Sequence, residues 1–320
     1  MMSTANWLEE RVEDLVARAR ATSRAHFPAE ILFAAPSQKH YDGGEYRNEP
    51  HHFETISVTG SACALKCDHC GTRILQSMHA AKSPARFRSL GIELAQQGAE
   101  GVLVSGGCLE DGTVPLDRFL DALAELKAQG MRVLVHSGLV RPEVARGLKA
   151  AGVDQVLLDI IGDNDTIREV YHLDRTVEAY RESLRLLAEN GLAAVPHVVV
   201  GLHYGRIRGE FEALRMIQEE GAAQLVIVVL EPLPGTAMAG LPPVPAEDVA
   251  RVLAAARLMM PEMPISLGCA KPPGPVKEAM ERYAVDVGVQ SIAYPLPATI
   301  AYARSQGVTA RYHQQCCSVL

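Results

Sequence analysis

Three cysteines, Cys63, Cys67 and Cys70, fall within eight positions of the stretch "SACALKCDHCGTRIL" at residues 61–75. In a reducing compartment, grouped thiols hold metals or do redox chemistry more readily than they form disulfides. The spacing is Cys-x3-Cys-x2-Cys, with no fourth cysteine nearby. A structural zinc site closes with four ligands, commonly as two spaced pairs. Only His69 offers such a fourth group, and it sits between the second and third cysteines, where it would strain the loop. Three thiolates on one loop suit a cubane 4Fe-4S cluster with one iron left open to bind and reduce a ligand. Zinc on the same loop stays as the alternative.

Such a loop needs a rigid support. From residue 53 onward, short β-branched runs alternate with helical patterns. The expected strands are 53–60, 101–107, 132–138, 153–162, 193–201, 224–232, 264–269 and 287–294. Helical stretches such as "LDRFLDALAELKAQG" and "VEAYRESLRLLAENG" each close on a glycine suited to a helix C-terminus. Continuous apolar strands between helices imply a parallel sheet covered on both faces. Eight such units predict an α/β fold, a (β/α)8 TIM-type barrel, with an open six-unit barrel plus two appended units as the near alternative. The predicted organisation is an N-terminal helix and lead-in at 1–52, the barrel at 53–300, and a C-terminal tail over the barrel mouth at 301–320. The opening helix is expected to carry Trp7, Leu8, Val12, Leu15 and Val16 on one face.

Barrels of this kind place their chemistry at the C-terminal ends of the strands. Those ends bring the cysteine loop, Ser105 to Cys108, His136, Ser137, Asp159, Gly201, His203, Glu231 and Cys269 toward one rim. Each also has a plainer reading. Gly106 and Gly107 end a strand, Asp159 caps a helix, Arg175 makes a surface ion pair, and His136, His172, His197 and His203 are hydrogen-bonded structural residues.

Composition narrows the class of protein. A net charge of −7 over 320 residues argues against a non-specific nucleic-acid binder. No apolar stretch approaches the length of a membrane span, and the N-terminal residues lack a secretory pattern, so a cytoplasmic protein without membrane partners is expected.

The cysteine spacing, placed after the first barrel strand, resembles the radical S-adenosylmethionine (SAM) superfamily. The resemblance covers about residues 53 to 300 and implies a 4Fe-4S cluster on Cys63, Cys67 and Cys70, with SAM at the open iron. It implies cleavage of SAM to a 5′-deoxyadenosyl radical that takes hydrogen from an unactivated carbon. It assigns Ser105, Gly106 and Gly107 to a turn receiving the methionine amino group, although Cys108 follows where the family usually has Glu. It puts His69 near the adenine, Asp159 on a ribose hydroxyl, Arg175 at the methionine carboxylate, and Val200 in the strand flanking adenine. His136 and Ser137 join these as cofactor contacts.

Four cysteines remain, Cys108, Cys269, Cys316 and Cys317, the number that encloses a second iron–sulfur cluster. Their plainer reading is as small buried hydrophobes. A second, auxiliary 4Fe-4S cluster implies sulfur insertion. The segments "ISVTGSACALKCDHCG", "VLVSGGC" and "IREVYHLDRTVEAYRESL" resemble the two-component lipoyl synthases within a biotin-synthase-like group. That resemblance implies a sulfurtransferase acting on a protein-bound octanoyl chain. It implies a sibling radical SAM subunit and an octanoylated carrier (glycine cleavage H protein or an acyltransferase lipoyl domain), with ferredoxin or flavodoxin as electron donor. Two other readings stand beside it: a biotin-synthase-like maturase or carbon-skeleton mutase on a small molecule, and a non-catalytic iron–sulfur or zinc protein.

Overall fold

The β-branched runs and glycine-terminated helices assemble into a single parallel sheet. The computed structural model describes residues 4–320. It begins with helices α1 (Thr4–Glu9) and α2 (Val12–His26) and strand β1 (Glu30–Ala34). There follow β2 (Phe53–Ser57), β3 (His79–Ala80), α3 (Pro84–Gln96), β4 (Gly101–Ser105), α4 (Leu120–Ala128), β5 (Arg132–His136) and α5 (Pro142–Ala151). The middle comprises β6 (Gln155–Asp159), α6 (Asn164–Val170), α7 (Val177–Glu189), β7 (Ala194–Val200), α8 (Glu210–Glu220) and β8 (Leu225–Val229). The chain ends with α9 (Ala246–Met259), β9 (Ile265–Leu267), α10 (Pro275–Val287), β10 (Ser291–Ala293), α11 (Pro297–Ser305) and β11 (Thr309–His313).

The sheet order is β11-β1-β10-β9-β8-β7-β6-β5-β4-β2-β3, with every pair parallel. All eight expected strands are present, as β2 and β4 to β10, and they lie side by side in chain order. The sheet forms a partial barrel, since among the described residues no ladder joins β11 to β3. At this seam Ser37 bridges the two sides. Its hydroxyl donates to Phe53 O and accepts from Phe53 N, both at 2.8 Å.

Three strands were not expected. β1 lies inside the segment read as lead-in, β11 inside the tail, and β3 is two residues long. "EILFA" has too few residues to show a period, and its partners β10 and β11 lie more than 250 residues away. The single opening helix is in fact two, because Arg11 is extended (φ −63°, ψ 134°) and Arg251 takes the carbonyls of Trp7 and Glu10. α2 packs on α9 and α10.

Side chains alternate along the strands with the period of two that pleating imposes. Val133 and Val135 of β5, Val156 and Leu158 of β6, and Val198 and Val200 of β7 join the helix-covered core. Leu134, Leu157 and Val195 face into the barrel, where Phe53, Val226 and Ala293 meet them. The tail does not cover the mouth: Gln314, Gln315 and Cys317 meet Glu49, Arg132 and Gln224 at the N-terminal ends of the strands, so the tail enters the barrel from the opposite end. Cys316, Cys317 and Val319 are buried inside the barrel among those same residues. Gln224 Nε2 donates to Cys317 O (3.0 Å) and Arg132 Nη1 to Gln315 Oε1 (2.6 Å), fixing the tail to β5 and to the residue before β8.

Candidate active site

The cysteine loop leaves β2 and doubles back through three left-handed residues, Lys66 (φ 49°), Gly71 (φ 47°) and Thr72 (φ 67°). Cys67 O accepts from Cys70 N (3.1 Å) and Gly71 N (2.8 Å), a tight turn that puts both thiols on one side. The ligand atoms of Cys67, His69 and Cys70 lie within 4.8 Å of one another. The hydrogen bond from Cys67 holds the Cys70 thiol down, to about 4, and the same contact, with burial, pushes Cys67 up. Cys63 lies outside this group, although its charge also acts on Cys67.

The Ser105–Gly107 turn is pressed against this loop. Gly107 N donates to the Thr59 hydroxyl (2.7 Å), and Ser105 Oγ donates to His136 O (3.0 Å). A β-carbon on Gly107 would stand 2.0 Å from Ala62 O and 2.5 Å from Cys63 Cβ. Glycine is therefore required for close approach of two backbones, over and above any contact with a bound cofactor.

Inside the barrel, His136 and Asp159 at the ends of β5 and β6 meet His197 from the middle of β7. His136 Nε2 lies 3.6 Å from Asp159 Oδ1, and the His136 and His197 ring centres are 5.5 Å apart, edge to face. Tyr171 OH donates to Asp159 Oδ2 (3.3 Å), and its ring lies 5.1 Å from that of His69. Burial works to raise the Asp159 carboxyl, but the contact and charge of His136 override it and bring the group down to about 2. Burial likewise opposes protonation of His136, and Asp159 reverses that too, leaving His136 raised. His197 goes the other way, down to about 4, through burial and then the His136 charge. Asp159 thus stands between two imidazoles that it and burial shift in opposite directions, His136 up and His197 down.

A second cysteine group lies farther along the same interior. Cys317 donates to Cys269, which holds Cys269 down to about 6 against burial, aided by the charges of Lys39 and Lys271. Cys316 is also lowered by its contact with Cys317, which is itself pushed well up. Cys269 is exposed on the segment after β9, whereas Cys316 and Cys317 are buried. The charges of Cys316 and Cys269 both act on His136, which places the polar trio between the two cysteine groups.

Several expected residues stand elsewhere. Cys108 does not join Cys269, Cys316 and Cys317. It stays with the first group, where its neighbours are Cys63, Asp159 and Cys70, and burial pushes its thiol up to about 12. The reason is local: Cys108 O accepts from Ala64 N (2.8 Å), and its sulfur would lie 3.4 Å from a β-carbon on Gly138. Val200 points into the helix-covered core and is fully buried, so the β7 residues facing the lumen are His197 and Val199. Arg175 is exposed, with Nη1 donating to Asp174 O (2.7 Å). The Ser137 hydroxyl donates to Gly138 O (3.0 Å). His203 lies 3.1 Å from the Thr166 hydroxyl, and Glu231 is half-buried on the loop after β8. His197, Tyr171 and Val199 were missed as lumen residues. Counting in twos from Val195 would have found His197 and Val199, whereas Tyr171 reaches Asp159 from beyond α6 and has no such signal.

The donors suit an iron–sulfur cluster. Soft thiolates select iron–sulfur clusters or zinc. On the first loop the Cys67 and Cys70 thiols come together with His69, whose buried Nδ1 has no partner, and Cys63 lies outside that group. Among the described residues no helix is long and apolar enough to cross a membrane.

Comparison with known proteins gives the same reading. The chain is 28% identical over 312 residues to a biotin synthase of Methylococcus capsulatus, covering 89% of this chain and 90% of that one. It is 25% identical to a biotin synthase of Halorhodospira halophila, covering 76% and 75%. Among solved structures, methylornithine synthase (PylB) superposes with a TM-score of 0.61 at 14% identity, covering 98% of this chain and 91% of that one. The FeFe-hydrogenase maturase HydG from Carboxydothermus hydrogenoformans gives 0.62 at 14%, covering 93% and 72%. The signature of the Radical SAM superfamily matches residues 57–217, which include the cysteine loop, the glycine turn and the His136–Asp159–His197 trio. The chain belongs to the Radical SAM superfamily.

Proposed function

We propose that this protein is a biotin-synthase-like radical SAM enzyme that takes hydrogen from an unactivated carbon of a small molecule held in the barrel lumen. The observation that carries this reading is the polar cluster inside the barrel, in which Asp159 meets His136 and Tyr171 and the His197 ring packs against His136. A cluster on Cys63, Cys67 and Cys70 supplies, when bound, the electron that cleaves SAM to the 5′-deoxyadenosyl radical. The protein binds, orients and excludes water around the reacting groups. Asp159 accepts hydrogen bonds from hydroxyl groups of the SAM ribose or of the substrate, and His136 donates to an acceptor. The likeness to biotin synthases, methylornithine synthase and a hydrogenase maturase supports this wider reading more than a carrier-bound substrate.

One observation favours a second reading. Cys269, Cys316 and Cys317 form a separate thiol group, and a sacrificial auxiliary 4Fe-4S cluster there would serve sulfur insertion. On that reading the protein is one member of a two-component lipoyl synthase. It would work with its sibling subunit on an octanoylated H protein or acyltransferase lipoyl domain, with ferredoxin or flavodoxin as reductant.

The test is anaerobic reconstitution with iron and sulfide, then incubation with SAM and a chemical reductant. The products are read by mass spectrometry with an octanoyl-lysyl peptide or with free amino acids and dethiobiotin. Hydrogen abstraction from a free small molecule supports the first reading, and a thiolated octanoyl peptide the second. Absence of 5′-deoxyadenosine in every reaction of the iron-loaded protein overturns both.

A further inference from the structure

The cysteine loop is held at one point by a side chain that is not a cluster ligand. Asp68 lies between Cys67 and His69, and its backbone N donates to Val170 O (2.9 Å) at the end of α6. Its carboxylate meets two partners on different loops. Oδ1 lies 2.8 Å from His172 Nε2, on the connection after α6, and Oδ2 accepts from Tyr204 OH at 2.8 Å, on the loop after β7. The Asp68 side chain is only 20% exposed.

Both partners adopt unusual backbone conformations. His172 (φ 54°) and Tyr204 (φ 51°) are left-handed, a region that side-chain-bearing residues seldom enter, histidine more readily than tyrosine. Strain of this kind persists where surrounding contacts over-determine it. Here the two strained residues share one contact, the Asp68 carboxylate. The bond also pushes the Tyr204 phenol up to about 12, so Tyr204 is a donor throughout the working pH range.

We propose that Asp68 is a positioning residue of the radical-generating site, clamping the cysteine loop to the connection after α6 and the loop after β7 through His172 and Tyr204. This rests on the reading that Cys63, Cys67 and Cys70 hold the cluster. Groups that hydrogen-bond around metal ligands orient those ligands, and their loss commonly lowers metal affinity or activity by about 10–100-fold. The clamp has a further consequence. The loop carrying Tyr204 continues directly from β7, which carries His197, and the connection carrying His172 follows α6, the helix after β6 and its Asp159. One carboxylate therefore fixes the cluster loop relative to the lumen side chains that meet the substrate.

The test uses the full-length, anaerobically reconstituted enzyme and three readouts: iron content, the electron paramagnetic resonance signal of the reduced cluster with and without SAM, and the rate of 5′-deoxyadenosine formation. Asp68→Ala is expected to slow that rate by about tenfold or more and to alter the SAM-induced change in the spectrum. Asp68→Asn keeps an acceptor for Tyr204 and is expected to recover most of the rate. Tyr204→Phe should cost less than Asp68→Ala, and the double variant should be no worse than Asp68→Ala alone, because both break one contact. A wild-type spectrum and rate in Asp68→Ala, or independent multiplication of the two effects, overturns the proposal. If Asp68→Ala does not fold, the His172→Gln/Tyr204→Phe pair decides: a tenfold loss supports the clamp and a wild-type rate overturns it. Iron content unchanged from wild type after replacing Cys63, Cys67 and Cys70 with Ala instead overturns the cluster assignment, and the clamp with it.

Discussion

Gly107 lies flush on Cys63, so that a β-carbon at Gly107 would stand 2.7 Å from the Cys63 Cα and 2.5 Å from its Cβ. The turn and the cysteine loop are one packed unit, and neither moves without the other. Gly107→Val is expected to displace Cys63 and cost about 1–3 kcal/mol through overpacking. Iron analysis after reconstitution should show less cluster on the first loop. Full iron content with weakened SAM binding alone would mean that the turn contacts only the cofactor.

Replacing Cys63, Cys67 and Cys70 together with Ala should abolish 5′-deoxyadenosine formation. The barrel should remain folded, because of the three only Cys67 is buried and the surrounding strands keep their ladders. Circular dichroism and product analysis on the same sample check both halves.

Cys269, Cys316 and Cys317 act as a group without Cys108. Cys316→Ala/Cys317→Ala should therefore remove any second cluster, a loss of about four irons for a cubane, while SAM cleavage survives. Cys108→Ala should leave that second iron pool intact. Deleting residues 314 to 320 also strips buried Cys316, Cys317 and Val319 from the barrel interior, so it should lower the Tm as well.

His313 gives a pH dependence of definite sign. Burial, and then the charges of Arg132 and His52, lower it to about 4, and its Nε2 is buried without a partner. Between about pH 4 and the ordinary histidine value of about 6.5 the unfolded chain binds a proton that the folded chain refuses. Stability should fall on acidification across that window, by at most about 1.4 kcal/mol per pH unit for this one group. His313→Gln should flatten that part of the profile, measured by denaturant unfolding at several pH values.

The eight central strands, the alternation of helix and strand and the cysteine loop were legible because each rests on local information. β-branched runs, glycine stops and a fixed cysteine spacing are properties of short windows, and a parallel sheet follows when such windows alternate. Which sulfur meets which was not local. Cys108 looked like a companion of Cys269 because both follow barrel strands, yet the backbone bond from Ala64 N to Cys108 O ties it to the first loop. Val200 lay in the right strand but on the wrong face, since one residue's shift along a pleated strand reverses its direction. β1 and β11 pair with partners far away in sequence, and a five-residue segment shows no period of its own. The sequence by itself determined the radical-generating motif and the barrel that carries it. Only the tertiary structure decided the division of seven cysteines into four and three, the polar trio between them, and the clamp on Asp68, because these depend on where distant segments meet across the barrel.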